Sequence, residues 1–395
     1  MQSILQKMNC RKVYTCMVGK YSDIIFQVVN SNIGNILDGE SISPGHNGPY
    51  YDEETDVRNT AHWIMLCACC FVLSNEERYK IAVRNLANRL YDSPFLCKNF
   101  VYISRYSKKD SINGTVGPAW IIEGLVKASE ILHDDKYVNL AIKVFKSQKF
   151  IEKNSLWTRI NENGRDIGFD LTYNHELWFA AAGSIIIDYC YDEAIEAQIN
   201  SFLSMSIKGV RVLPDGILNH YVDTWVGMKR AISFNKQYYI KLLNDVRNKP
   251  SMRYKEEGYH LFSMYAFAIL YKRYGSHPFF KCKKFLKALD ITFNKRFIEK
   301  LEHANPMLDG THITKKSILH TLNAYAYPYN APGFELPYIA KVFYPSDANI
   351  ANESAEAFDK QISLTYDPDK KIFCRNTEDE RVLTARLYEL TRVFQ

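Results

Sequence analysis

The sequence predicts an all-α protein, an (α/α)6-toroid of helical hairpins with short β-hairpin insertions. Two observations carry this reading. Helices that are apolar nearly all round alternate with amphipathic ones, as inner and outer helices would. Trp63, Trp120 and Trp178 also mark the first three apolar helices about sixty residues apart, a weak internal repeat. A two-layer solenoid of helix pairs would leave a similar pattern. No linker or low-complexity tract interrupts residues 1–395, so one domain is expected.

The apolar helices are expected over Asp56–Leu73, Thr115–Leu132, Thr172–Ile187 and Gly258–Tyr274. Each has a polar start and an oily remainder, the mark of a buried helix. The amphipathic partners are Glu76–Tyr91, with Ile81, Leu86 and Leu90 as its stripe, then Asp134–Gln148, Asp192–Met205 and Phe279–Asp290. A later buried segment begins near Asn330–Phe343, and a last helix covers Glu378–Phe394. Around Pro214-Asp215-Gly216, two alternating runs within Gly209–Val222 predict a hairpin.

Composition narrows the function classes. The chain is 47% hydrophobic and 24% charged, with a net charge of +6, ordinary for a globular protein. Lys and Arg are scattered without a basic block, so no nucleic-acid partner is expected. Aromatic residues make up 14%, with 27 Tyr, which suits stacking on sugars as well as a core. The nine cysteines include Cys67, Cys69 and Cys70 inside an apolar run, where a free cysteine behaves as a small hydrophobe. A reducing, cytoplasmic setting is therefore expected, with neither disulfides nor a metal site. The start of the chain lacks a leader's apolar region, and no uninterrupted apolar stretch approaches the roughly 18 residues of a membrane span. Phosphate-binding, dinucleotide and zinc-protease motifs are absent, so no cofactor is expected. Nothing in the sequence sets an oligomeric state.

Chemistry-bearing residues gather at the starts of the apolar helices, where free backbone N–H groups also favour anions. The first group holds Asp56, Arg58, Asn59, His62 and Trp63. Arg58 and His62 share a helix face; Arg58 would suit a carboxylate and Trp63 a sugar face. Asp56 reads equally as a helix cap. The second holds Asn113, Gly114, Trp120 and Glu123, with Asn113-Gly114 reading as a turn. The third is the densest: Asp170, Tyr173, Asn174, His175, Glu176 and Trp178, where Asp170 again could be a cap. The fourth brings Arg253, Glu256, Tyr259 and His260, and the fifth Asn330, Glu335 and Tyr338. His175, Glu176, His260, Asp170 and Asp56 are the acid–base candidates. Arg58, Asn59, His62, Trp63, Trp120, Tyr173, Asn174, Trp178, Arg253, Tyr259, Asn330, Glu335 and Tyr338 are the substrate-binding candidates.

The stretches NGPYYDEETDVRNTAHW, YNHELWFAAAGS, EGYHLFSMYAFAILYKRYG and PYNAPGFELPYIAKVF resemble the AglQ-type proteins of surface-glycan assembly clusters. More broadly, the chain resembles six-hairpin carbohydrate-active enzymes such as unsaturated glucuronyl hydrolases and sugar epimerases. The resemblance spans roughly residues 45–345. It implies a toroid and a role in processing a hexuronic acid or related sugar, free or linked to a nucleotide or lipid. Isomerase or epimerase chemistry leads; a glycoside hydrolase or lyase using two carboxylates, or a non-catalytic glycan-binding protein, are the alternatives.

Overall fold

In the computed structural model, residues 2–47, 52–107, 110–222, 225, 249–302 and 331–395 are described. Helix α1 (Gln2–Leu37) leads through the short pair β1 (His46–Asn47) and β2 (Asp52–Glu53) to α2 (Val57–Ser74) and α3 (Glu77–Tyr91). Then come α4 (Val116–Leu132) and α5 (Asp135–Ser147), followed by an antiparallel sheet of β3 (Lys149–Ile151), β4 (Leu156–Ile160) and β5 (Asp166–Phe169). Next are α6 (Tyr173–Tyr189), α7 (Glu193–Gly209), α8 (Lys249–Tyr274), α9 (Lys283–Asp290) and α10 (Arg296–Glu302). The chain closes with α11 (Pro332–Phe343), α12 (Ala348–Thr365), β6 (Tyr366–Asp367) paired to β7 (Ile372–Phe373), α13 (Glu380–Arg386) and a 3-10 turn, Leu387–Phe394.

By their contacts these elements form two compact units: Met1–Ser93, Lys127–Tyr137 and Phe293–Gln395 make the first, Pro94–Val126 and Val138–Thr292 the second. In unit 1, α2 packs on α3. Every residue from Val57 to Cys70 is buried, whereas α3 buries only Tyr79, Ala82, Val83, Leu86, Ala87 and Leu90. The expected contrast between apolar and amphipathic helices is thus present, but the stripe differs. Ile81 is 39% exposed, because the buried positions step by three and four from Tyr79 and leave Ile81 on the opposite face. Helix α1, which the sequence reading did not single out, lies against α3 through the Tyr79 hydroxyl, which donates to Asn30 at 2.8 Å. It meets α12 through the edge-on ring pair Tyr21–Phe358. By length and composition α2 is the one described helix able to cross a membrane, yet 78% of it is buried here.

In unit 2, α6 packs on both α7 and α8, and Gly183 is what lets a neighbour come close. A side chain there would meet Phe145 at 2.8 Å and Ile199 at 3.1 Å. Phe145 in turn lies flat on Phe179 at 4.5 Å, and Trp157 of β4 completes the cluster. Asp192 caps α7 by accepting from the backbone of Ile195 at 3.1 Å, an interaction that stabilises a helix by about 1 kcal/mol. The expected hairpin is present as a bridge between Val212 and Leu218, with Gly216 at φ +94° in its turn. The expected Phe279–Asp290 helix is instead a 3-10 turn, Pro278–Lys281, followed by α9. The break falls at Cys282, whose extended backbone and thiol cap the second helix.

Candidate active site

Asp170 is the first residue of the loop between β5 and α6. Its Oδ2 lies 2.7 Å from His175 Nδ1 and accepts the backbone N–H of Thr115 at 3.1 Å. Asp170 is therefore not the cap of α6: Thr172 holds the N-cap position, without a side-chain cap bond. Burial works to raise the Asp170 pKa. The charge and hydrogen bond of His175, the Arg159 guanidinium and the Thr172 hydroxyl outweigh it and hold the carboxyl well below the usual carboxylate range. An ionised carboxylate only accepts, so Nδ1 carries a proton, and in the neutral ring the lone pair is on Nε2, facing away from Asp170. The His175 side chain is 22% exposed, and its Nε2 has no partner among the described residues. An imidazole oriented this way can take a proton from a substrate and return it.

A rigid shell holds the pair. Asp110 Oδ2 accepts from the backbone of Gly114 at 2.9 Å and from Arg159 at 3.1 Å. Arg159, on β4, also donates to the carbonyl of Phe169 at 3.2 Å, just before Asp170. The sheet thus braces the loop that carries the carboxylate. The Asn174 amide and the Thr115 hydroxyl are buried and unpartnered among the described residues.

Other candidates of unit 2 fall elsewhere. Glu176 is wholly buried and its Oε2 accepts from the backbone of Trp157 at 3.0 Å; burial pushes its pKa well above the usual range. Trp178 is 1% exposed, donates to the carbonyl of Phe262 and has Phe262 and Tyr265 stacked against it. It is a core residue rather than a sugar platform. Tyr173 is likewise packed among Phe202, Trp225 and Phe267. Trp120 keeps partial exposure, edge-on to Phe262. Along α8, Glu256 accepts from Asn219 at 2.8 Å, His260 Nδ1 accepts from the backbone of Leu218 at 3.3 Å, and Arg253 pairs with Asp215 and Glu257. These residues clamp the 209–222 hairpin. The hairpin presents a histidine not singled out from the sequence, His220, stacked on Tyr259 at 5.4 Å. Asp110, Arg159 and His220 sit in loops and strands without helical periodicity, which is why helix-based reading passed over them.

In unit 1, Asp56 is at the N-cap position of α2 without a side-chain cap bond and pairs with Arg89 of α3 at 2.6 Å. Arg58 pairs with Glu54, and Asn59 donates to the carbonyl of Ser43 at 2.9 Å. His62 lies flat on Tyr388 at 4.0 Å; burial, with Arg58 and Arg386 nearby, keeps it well below the usual histidine range. Glu335 is fully buried and accepts from Arg386 at 2.6 Å, and Arg386 also grips Glu389 at 2.8 Å. Tyr338 is buried beside it on α11. Trp63 lines a cavity of about 220 Å³ together with Asn32, Ser43 and Arg381. Asn330 lies outside the described residues.

Glu176 gives a test of these placements. Its raised pKa means that the folded state keeps a proton that the unfolded chain releases above about pH 4.3. That contribution is fully present below the unfolded pKa and is lost as pH rises through the folded one. Glu176→Gln keeps an acceptor for Trp157 and removes the ionisation. It is expected to match the parent protein in acid and to melt higher at about pH 8, by about 1.4 kcal/mol per unit of realised shift. A melting point that falls at that pH would mean an ionised, paired Glu176.

No family model matches the chain. Comparison of sequences does find a relative: the chain is 29% identical over 382 residues to archaeal glycosylation protein Q of Haloferax volcanii, covering 94% of this chain and 97% of that protein. The chain is similar to archaeal glycosylation protein Q along nearly its whole length. Among solved structures, it is similar to a cellobiose 2-epimerase from Spirochaeta thermophila, with a TM-score of 0.62, 10% identity and coverage of 96% and 98% of the two chains. It is also similar to a D-mannose isomerase, with a TM-score of 0.61, 12% identity and coverage of 94% and 97%. A sugar epimerase from a ruminal bacterium gives a TM-score of 0.60 at 10% identity, over 94% and 99% of the chains. The fold that the chain shares with them is the all-α (α/α)6-toroid with small sheets.

Proposed function

We propose that the chain is a sugar-processing enzyme of glycan assembly that moves a proton at a sugar carbon, as an epimerase or isomerase does. The observation that carries this reading is the Asp170–His175 pair: a buried ionised carboxylate fixing one tautomer of a partly exposed imidazole. The name of the 29%-identical relative supports a place in glycosylation, and the fold likeness to sugar epimerases and isomerases supports the reaction class. A hexuronic acid or related sugar, free or linked to a nucleotide or lipid, is the substrate class of the proposal. The setting is cytoplasmic, with the whole chain acting as one domain.

The carboxylates of unit 2 favour this over hydrolysis. Asp170 is engaged by His175, and Glu176 is sealed under Trp157, so neither is placed to act as the second carboxylate that glycosidases use. Incubating the protein with uronic acids, hexoses and their disaccharides in D2O tests the proposal. Deuterium appearing at a sugar carbon, read by NMR, is the expected result. A new reducing end or an unsaturated product would replace it with cleavage, and binding without turnover would leave a glycan-binding protein.

A further inference from the structure

We propose that Gly114 is a positioning residue of the Asp170–His175 pair, so that the Asn113-Gly114 turn belongs to the proton-transfer site. Two consecutive residues here are left-handed, Asn113 at φ +61° and Gly114 at φ +63°. That geometry aims two successive backbone N–H groups at two different carboxylates: Gly114 donates to Asp110 at 2.9 Å, and Thr115 donates to Asp170 at 3.1 Å. The Thr115 bond falls on the same Oδ2 that faces His175 Nδ1. Asp110 is itself anchored by Arg159 at 3.1 Å and Arg105 at 3.4 Å, so the turn hangs from a fixed point.

The turn is also pressed directly against the pair. A Cβ on Gly114 would overlap both Asp170 Oδ2 and His175 Nδ1, and would stand 3.0 Å from Asp170 Cγ. Only the absence of a side chain at this position lets the carboxylate and the imidazole meet. The turn acts through Asp170 and touches no reacting atom. Its catalytic meaning rests on the proton-transfer reading above; its effect on the histidine does not.

The test compares Gly114→Ala with Gly164→Ala in the full chain. Gly164 has a similar φ of +75° but only Asn99 near it, at 3.9 Å, so it imposes the same backbone strain without the overlap. Histidine 15N NMR, with the His175 signal assigned by its loss in His175→Gln, reads the tautomer without any substrate. Gly114→Ala is expected to lose the hydrogen-bonded Nδ1 proton, and where a sugar turns over, to lower kcat about a hundredfold. Gly164→Ala is expected to keep both. An unchanged Nδ1 proton in Gly114→Ala would overturn the proposal. If Gly114→Ala does not fold, Gly114→Ala/Asp170→Ala/His175→Ala removes both groups that the Cβ would meet: recovery of folding supports the proposal, and failure to recover overturns it. Absence of sugar turnover in the parent protein, with the NMR result as expected, would sink the function proposed above and leave this placement standing.

Discussion

His175→Gln lowers turnover of the proton-transfer reaction by about 10²- to 10⁴-fold, the usual range for removing a positioned acid–base group. Glutamine fills similar space and keeps a polar contact with Asp170, so the melting temperature is expected to stay close to that of the parent. Asp170→Asn is the sharper companion. Asparagine can still offer an oxygen to Nδ1 and to the Thr115 N–H, but it lacks the negative charge that stabilises the imidazolium formed when Nε2 takes a proton. Turnover should fall by a similar factor although the histidine remains. Steady-state kinetics together with thermal denaturation check both. A variant that loses folding and activity in step, or an Asp170→Asn enzyme of full activity, would remove the pair from the mechanism.

Arg386→Met unfolds unit 1 more easily by about 3–5 kcal/mol, the penalty typical of stripping one partner from a buried ion network. Arg386 is 6% exposed and holds Glu335 and Glu389, which are 0% and 1% exposed. Without it two buried carboxylates lose the cation that holds them. Burial already pushes Glu335 up to about 6 against the pull of Arg386, and the loss of the cation raises it further. A raised carboxyl stabilises the fold below its unfolded pKa and loses that contribution as pH rises through the folded value. The defect should therefore shrink toward about pH 5 and widen toward about pH 8. Adding Glu335→Gln and Glu389→Gln should restore much of the loss. Denaturant midpoints across that range measure it; a pH-independent loss of less than about 1 kcal/mol would mean that the network contributes no more than a surface pair.

Much of the helical order was legible because burial imposes a period. The run Val57–Cys70 is buried throughout, and the polar residues of α3 fall where its outer face must be. The start of α6 stood out for a different reason. Asp170, His175 and Glu176 within seven residues exceed what helix capping requires, and Asp170 and His175 do pair. The same density misled at Trp178 and Glu176. Residue type and spacing place them on the helix, but not on the side that Phe262 and Trp157 cover.

By itself the sequence determined where the apolar helices α2, α4 and α6 lie, that they are buried and where ionisable groups concentrate. These follow from local spacing of apolar and polar residues along one chain. Only the tertiary structure decided the partners: Asp170 to His175 rather than to its own helix end, Asp56 to Arg89 of α3, and Glu335 to an arginine fifty-one residues on. It also decided that Gly114 is more than a turn, since the space it leaves is filled by Asp170, fifty-six residues later in the chain. Hydrogen bonds and overlaps are set by distances of tenths of an ångström between remote segments, and no periodicity along a chain encodes them.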